Sequence, residues 1–180
     1  MSRIGKKQIA IPQGVSVVLK GDDIHVSGPK GLLVKPWISG IDLVITDSSV
    51  VVSPRSPDDQ SSKRLWGLAR ALLAGMIKGV SVGIEKHLEL SGVGYKAVLK
   101  GEKTVELSLG YSHTITVEAP HQVSFKVEKN NLQIIGADAE AVGQLAAYIR
   151  SLRVPEPYNA SGVKYKSEVI RRKAGKKAAG

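Results

Sequence analysis

The tetrapeptide Val-Leu-Lys-Gly at Val18–Gly21 occurs again at Val98–Gly101, 80 residues further along the 180-residue chain. After each copy, apolar and polar residues alternate over Asp22–Val26 and over Glu102–Leu107, allowing a slip of one residue. Alternation with a period of two is typical of half-buried β-strands, so each copy predicts a hairpin. The same supersecondary unit is therefore encoded twice.

Each half of the chain continues with more strands and closes with an amphipathic helix. Further strands are predicted at Asp42–Thr46 and Val50–Ser53, then at Thr114–Glu118, Val123–Val127 and Leu132–Ile135. Apolar residues recur at helical spacing at Leu65, Leu68, Ala69, Leu72, Leu73 and Met76, then at Val142, Leu145, Ala146, Ile149 and Leu152. Leu65 and Leu145 are again 80 residues apart, as are Arg70 and Arg150.

A repeat of this length is the size of a domain and too long for a solenoid unit. The predicted fold class is α+β, with two similar domains from an internal duplication, each an antiparallel sheet with one helix packed on a face. We expect the first repeat over residues 1–81, the second over 82–155, and a basic C-terminal arm and tail over 156–180. Ser61 or Ser62 is the expected N-cap of the first helix, and Asp138 that of the second.

Positive charge is concentrated at the C-terminal end. The formal net charge is +10, and an excess of this size repels itself in a compact state unless a polyanion neutralises it. From Asn159 onward there are seven lysines and arginines against Glu168 alone, which gives +6 of the +10. Pro155 and Pro157 prevent the second helix from continuing, so we expect an arm that has no counterpart in the first repeat.

The composition of this tail favours RNA as the polyanion. Tyr158 and Tyr165 are interleaved with cations, and unpaired RNA offers bases for stacking and phosphates for guanidinium groups. Arg150 and Arg153 lead directly into the arm, which favours a contact there too. A solvated charge run or a targeting tract remains an alternative for the tail, and a solvated helix face remains one for Arg64 and Arg70.

Other kinds of site have little support. The absence of cysteine excludes disulfides and thiolate chemistry, and the four histidines lack the spacing of a metal site. Gly28–Gly31 reads as a hairpin turn, since it lacks the Lys-Ser/Thr pair of a phosphate-binding loop. Gly92-Val93-Gly94 is a bare GxG motif, a weak cofactor signal, but with Tyr95 and Lys96 it forms a turn open to a nucleic-acid backbone.

Distinctive motifs occur along nearly the whole chain, at Ser2–Lys7, Gly28–Gly31, Arg70–Leu73 with Lys78–Val80, Gly92–Ala97, Gly110–His113, Val142–Gln144, Pro155–Tyr158 and Ile170–Lys176. In these motifs the chain resembles a known family, the bacterial-type L-six (uL-six) proteins of the large ribosomal subunit. It departs from the family at Trp66, where histidine is common, which weakens any role for that helix face. It departs again at Asn159–Ser161, where a Lys-Gly-Lys stretch is common, so phosphate contacts from that turn are in doubt.

The resemblance implies two similar α+β domains and a structural, non-catalytic protein that binds 23S rRNA. Binding would occur mainly through the C-terminal domain, near the stalk base and the sarcin-ricin loop, with neighbouring ribosomal proteins and translation factors close by. The residues expected to face RNA are Gly92, Gly94, Tyr95, Lys96, Arg150, Arg153, Tyr158, Lys164, Tyr165, Lys166, Arg171, Arg172, Lys173, Lys176 and Lys177. No cofactor, metal or small-molecule substrate is expected.

Two other functions stay open on the sequence. A double-stranded DNA-binding protein would suit the charge, although no helix-turn-helix, basic zipper or finger spacing supports it. A metal-dependent nuclease could use Asp58, Asp59 or Glu140, although capping of the helices accounts for these carboxylates without catalysis. No apolar run approaches membrane-spanning length, and we expect the chain in the cytoplasm.

Overall fold

The computed structural model describes residues 3–46, 48–56 and 59–174. They form two compact units, the first reaching to Ile84 and including Ala137–Ala139, the second formed by Glu85–Gly136 and the chain from Glu140 onward. Each unit contains short strands followed in the chain by one long helix. The predicted α+β class with an internal repeat is confirmed.

The first unit contains six strands and a helix: β1 (Ile9–Ala10), β2 (Ser16–Lys20), β3 (Asp23–Gly28), β4 (Gly31–Pro36), β5 (Ile41–Ile45), β6 (Ser49–Pro54) and α1 (Gln60–Ser81). They make two antiparallel sheets of order β2-β3-β4 and β1-β6-β5, so the single predicted sheet is divided in two. The predicted hairpin is β2–β3, in which Val17 pairs with Val26. Both of these side chains are buried, as the alternation requires.

Helix α1 packs on the core of the first unit through Ala69, Leu73, Met76, Ile77 and Val80. Leu68 and Leu72 share the apolar spacing that predicted this helix, but they are 50% and 45% exposed. Two overlapping apolar stripes run along this helix, and only tertiary packing selects between them.

The N-cap of α1 is Asp59, and the predicted cap at Ser61 or Ser62 was wrong. The Asp59 carboxylate accepts hydrogen bonds from the backbone N–H groups of Ser61 and Ser62, both at 3.1 Å, and from both serine hydroxyls. These hydrogen bonds lower the pKa of Asp59, with the serine hydroxyls as the largest cause. A carboxylate is the stronger acceptor for the unpaired N–H groups of a first helical turn, which explains why it takes the capping position.

Trp66, the departure from the family pattern on α1, has a structural role in the first unit. Its indole Nε1 donates to the carbonyl oxygen of Val52 at 2.6 Å. The ring also covers Gly5, where a Cβ would lie 2.6 Å from the indole. Arg70, on the same helix, donates to the carbonyl oxygens of Lys7 and Gln8. These contacts attach the N-terminal segment to α1.

The second unit repeats this order and adds one strand: β7 (Ile84–Ser91), β8 (Lys96–Leu99), β9 (Thr104–Ser108), β10 (Ile115–Glu118), β11 (Val123–Glu128), β12 (Asn131–Gly136), α2 (Ala139–Leu152) and β13 (Gly162–Tyr165). Its sheets have the orders β8-β9-β10 and β11-β12-β7-β13. Helix α2 buries Val142, Leu145, Ala146 and Ile149, four of the five residues that its apolar spacing singled out.

Strand β13 lies within the segment 156–180 that the sequence analysis assigned to a C-terminal arm and tail. Lys164 and Val163 of this strand pair with Glu89 and Leu90 of β7, and Val163 is completely buried. The backbone N–H of Val163 also donates to the carbonyl oxygen of Arg153 at 2.8 Å. A Cβ at Gly162 would lie 2.6 Å from the backbone of Pro155, so the return of the chain requires glycine there. The fold of the second unit therefore extends well into the predicted arm.

If β13 belongs to the core, truncating its buried side chain must destabilise the free protein. We expect Val163→Ala to lower the free energy of unfolding by about 1–3 kcal/mol, through lost apolar burial and the cavity that it leaves. The matched control is Val169→Ala, whose side chain is 88% exposed and should change stability by less than about 0.5 kcal/mol. Urea denaturation without RNA measures the free energy of unfolding of both variants. Equal stabilities of Val163→Ala and Val169→Ala would contradict the inclusion of β13 in the core.

Candidate nucleic-acid interface

The glycine turn Gly92–Lys96 connects β7 to β8 and exposes a lysine over a buried ring. Gly94 has φ of +77°, a conformation that residues with a side chain rarely adopt. Tyr95 was predicted to face RNA, yet only 8% of it is exposed, and its ring packs against Gly92 and Gly110. The side chain of Lys96 is exposed beside it. Tyr95 therefore supports the turn, and Lys96 is the group that a ligand can reach.

Arg150, in the last turn of α2, is occupied by a carboxylate of its own chain. Its Nε donates to Glu168 Oε2 at 2.8 Å, and a second guanidinium nitrogen donates to the other carboxylate oxygen. The backbone N–H of Tyr165 also donates to Glu168, at 3.2 Å. The hydrogen bond from Arg150 is the largest cause that lowers the pKa of Glu168. Arg150 therefore acts as an anchor for the segment after β13.

Lys164 is also paired within the second unit. Its Nζ lies 3.1 Å from Glu89 Oε2 on the neighbouring strand β7, and 26% of its side chain is exposed. Tyr165, the next residue, is half-buried. Both residues were predicted to face RNA, and the structure gives each of them a second role in holding β13.

The remaining predicted cations are exposed and follow this anchored strand. Lys166, Arg171, Arg172 and Lys173 are exposed, and none forms an ion pair within the described residues. The backbone N–H of Lys173 donates to the carbonyl oxygen of Pro157 at 2.9 Å, which brings it back to the segment of Tyr158. Lys176 and Lys177 lie outside the described residues.

A stack of flat side chains that sequence reasoning missed is centred on Tyr111. The guanidinium carbon of Arg153 lies 5.1 Å from the centroid of the Tyr111 ring. The ring of His113 stacks on Tyr111, with centroids 5.9 Å apart and planes inclined by 20°. The motif Gly110–His113 was visible only as a family resemblance, because nothing in the local sequence indicates that Arg153 approaches it.

The alternatives that require a metal find no site in the described part of the chain. No group of three or more histidine, aspartate and glutamate side chains there could hold an ion. Asp59 caps α1, Glu140 lies in the first turn of α2, and Asp58 lies outside the described residues. Of the described helices, none is long and apolar enough to cross a membrane.

Comparison with known proteins decides the family. The family described as "Ribosomal protein L6" matches residues 11–83 and 91–166, one segment for each copy of the repeat. The chain belongs to the ribosomal protein L6 family. This family consists of structural, non-enzymatic components of the large ribosomal subunit, which confirms the predicted family and the prediction that the chain is not an enzyme.

Relatives in the ribosomal protein L6 family match along almost their whole length. The large ribosomal subunit protein uL6 of Clostridium perfringens is 51% identical over 178 residues, which is 98% of each chain. That of Nitratidesulfovibrio vulgaris is 48% identical over 176 residues, covering 98% of this chain and 97% of the relative. The protein uL6c of Porphyra purpurea is 43% identical over 181 residues, covering 100% and 99%.

The pair between Arg150 and Glu168 gives this L6 family member a pH-dependent stability. We expect Glu168→Gln to lower the free energy of unfolding at pH 7 by about 1–2 kcal/mol, since it leaves a half-buried guanidinium without its carboxylate. The folded pKa of Glu168 is lowered, so its contribution is complete above the unfolded value of about 4.3 and is lost as pH falls through the folded value.

The difference between wild type and Glu168→Gln should therefore decrease in acid. Chemical denaturation at pH 7 and at pH 3 measures it, with Glu156→Gln as the control because that carboxylate is exposed and forms no ion pair within the described residues. A difference that stays constant over this range would show that the charge of Glu168 contributes nothing.

Proposed function

We propose that the chain binds 23S rRNA mainly through its second unit and C-terminal segment, near the stalk base and the sarcin-ricin loop. There it supports subunit assembly and the region where translation factors act, beside neighbouring ribosomal proteins, in the cytoplasmic ribosome of a bacterial type. The observation that carries the proposal is the row of exposed cations Lys166, Arg171, Arg172 and Lys173, which follows a strand fixed in a folded sheet.

The predicted site residues divide into two groups by their contacts. The first group is exposed and can reach phosphates; it contains Lys96, Arg153, Lys166 and Arg171–Lys173. We assign Lys176 and Lys177 to this group because of their charge. The second group positions these cations through the glycine turn, the two ion pairs and β13; it contains Gly92, Gly94, Tyr95, Arg150, Lys164 and Tyr165. Tyr158 is 52% exposed and offers a ring for stacking. Anchoring reduces the entropy that these cations would lose on binding.

The alternative of binding double-stranded DNA gains no specific observation. A helix that enters a major groove presents basic residues to the bases, whereas α2 carries one arginine, Arg150, in its last turn, and it is paired with Glu168. A competition assay in which duplex DNA displaces the rRNA fragment at equal concentration would favour DNA over RNA.

The proposal can be tested by shortening the chain without disturbing the fold. Removal of everything after Tyr158 would also delete β13, so the informative truncation ends at Ile170 and keeps Glu168. It removes five cations: Arg171, Arg172, Lys173, Lys176 and Lys177. If each contacts a phosphate, the slope of log K against log salt should decrease in magnitude by about 3.5–4.5, because each contact releases condensed counterions.

A control of equal charge separates phosphate contacts from net charge. Changing Lys6, Lys7, Lys20, Lys63 and Lys78 to Gln removes five exposed cations from the first unit and should leave the slope unchanged. Filter binding to the rRNA fragment over a range of salt concentrations measures both. Equal changes of slope for the two variants would show that charge acts without a defined site.

A further inference from the structure

We infer that the stack of Arg153, Tyr111 and His113, together with the groove beside it, binds one unpaired nucleobase of the RNA. The inference rests on the proposed function and adds to it a site for a base. The cationic segment, Lys166 with Arg171–Lys173, would instead contact the phosphate backbone of the RNA. The sequence reasoning included only Arg153 of this set. The arrangement of the three side chains indicates the new site.

All three members of the stack reach the surface. Tyr111 is 43% exposed, and His113 and Arg153 are exposed as well. Imidazole, phenol and guanidinium planes are the groups on which unpaired RNA bases stack, since every base has a π face.

The stack is held in place before any ligand binds. The hydroxyl of Tyr111 donates to the carbonyl oxygen of Leu152 at 3.0 Å, which fixes the ring against the end of α2. Gly110 has φ of +78°, and a Cβ there would lie 3.1 Å from the ring of Tyr95. The Tyr111 and Tyr95 hydroxyls also raise the pKa of Arg153. A fixed ring and a permanent cation lose little entropy when a base binds.

A groove continues from the stack and has room for a base. It has a volume of about 500 Å³ and lies between Tyr111 and the segment Ser151–Pro157. Arg153 and Glu156 are the charged residues of its lining, which is more polar than apolar. The carboxylate of Glu156 repels phosphate, whereas Arg153 attracts it. A nucleotide therefore fits with its base in the groove and its phosphate on the side of Arg153.

The groove also differs from the cationic segment in the binding energy it should supply. Stacking of a base on an aromatic ring is worth about 1–3 kcal/mol and depends little on salt, whereas phosphate contacts are salt-dependent. Loss of the stack should therefore lower affinity at every salt concentration and leave the salt slope unchanged. This behaviour distinguishes the site from another phosphate contact.

The test compares Tyr111→Leu with Tyr111→Phe in the full chain, using the 23S rRNA fragment as the probe. Tyr111→Leu should raise Kd by about 5- to 160-fold with an unchanged salt slope, the range for one base–aromatic stack. Tyr111→Phe keeps the ring and should bind more tightly than Tyr111→Leu. The control is Tyr148→Leu, an aromatic residue on α2 with similar exposure (53%), which should bind as the wild type does.

The outcomes separate this inference from the proposed function. Failure of the wild-type chain to bind the fragment would overturn the proposed function. Tight wild-type binding with equal Kd for Tyr111→Leu and Tyr148→Leu would overturn the base site alone. Because Tyr111→Leu could disturb the fold, ultraviolet crosslinking of the unaltered chain to the RNA gives a second measurement. Crosslinks in the peptide that contains Tyr111 and His113 support the site, and crosslinks found only in other peptides overturn it.

Discussion

The ion pair between Arg150 at the end of α2 and Glu168 beyond β13 is the constraint on which the candidate interface depends. It neutralises the one acidic residue of a strongly basic segment and holds β13 beside β7, with the Lys164–Glu89 pair across the same two strands. Repulsion between the cations that follow would otherwise favour an extended chain. Fixing the base of the segment keeps Lys166 and Arg171–Lys173 exposed beside the second unit. They form no ion pair within the described residues, so phosphate can supply their counter-charge.

Much of the fold could be predicted because both copies of the repeat carry the same pattern of strands and helix. The alternation after Val18–Gly21 and Val98–Gly101 indicated the hairpins, and the helical spacing that follows identified both helices. The division of each predicted sheet into two could not be predicted, since it depends on which distant strands pair. The cap of α1 was ambiguous for a local reason: Asp59, Ser61 and Ser62 are all good capping residues, and their hydrogen-bond geometry decides among them.

The candidate site was harder to predict because charge alone does not separate internal pairs from exposed contacts. Arg150 and Arg171 look equivalent in the sequence, yet one is bound by Glu168 and the other is exposed. Strand β13 could not be predicted from the sequence, because a strand of four residues among lysines has almost no apolar pattern beyond Val163. Ala160 adds to the difficulty: it has φ of +56°, a conformation for which glycine is the usual residue. Tyr111 joins Arg153 only through the tertiary fold.

We infer that the C-terminal segment is built into the second unit before it meets RNA. Amide hydrogen exchange on the free chain tests it directly, because the N–H groups of Val163 and Lys166 donate to the carbonyl oxygens of Arg153 and His87. We expect these two amides to exchange slowly without RNA, while those of Arg171 and Arg172 exchange at the rate of an unprotected chain. Exchange of Val163 and Lys166 as fast as that of Arg171, with protection appearing only after rRNA is added, would contradict the account.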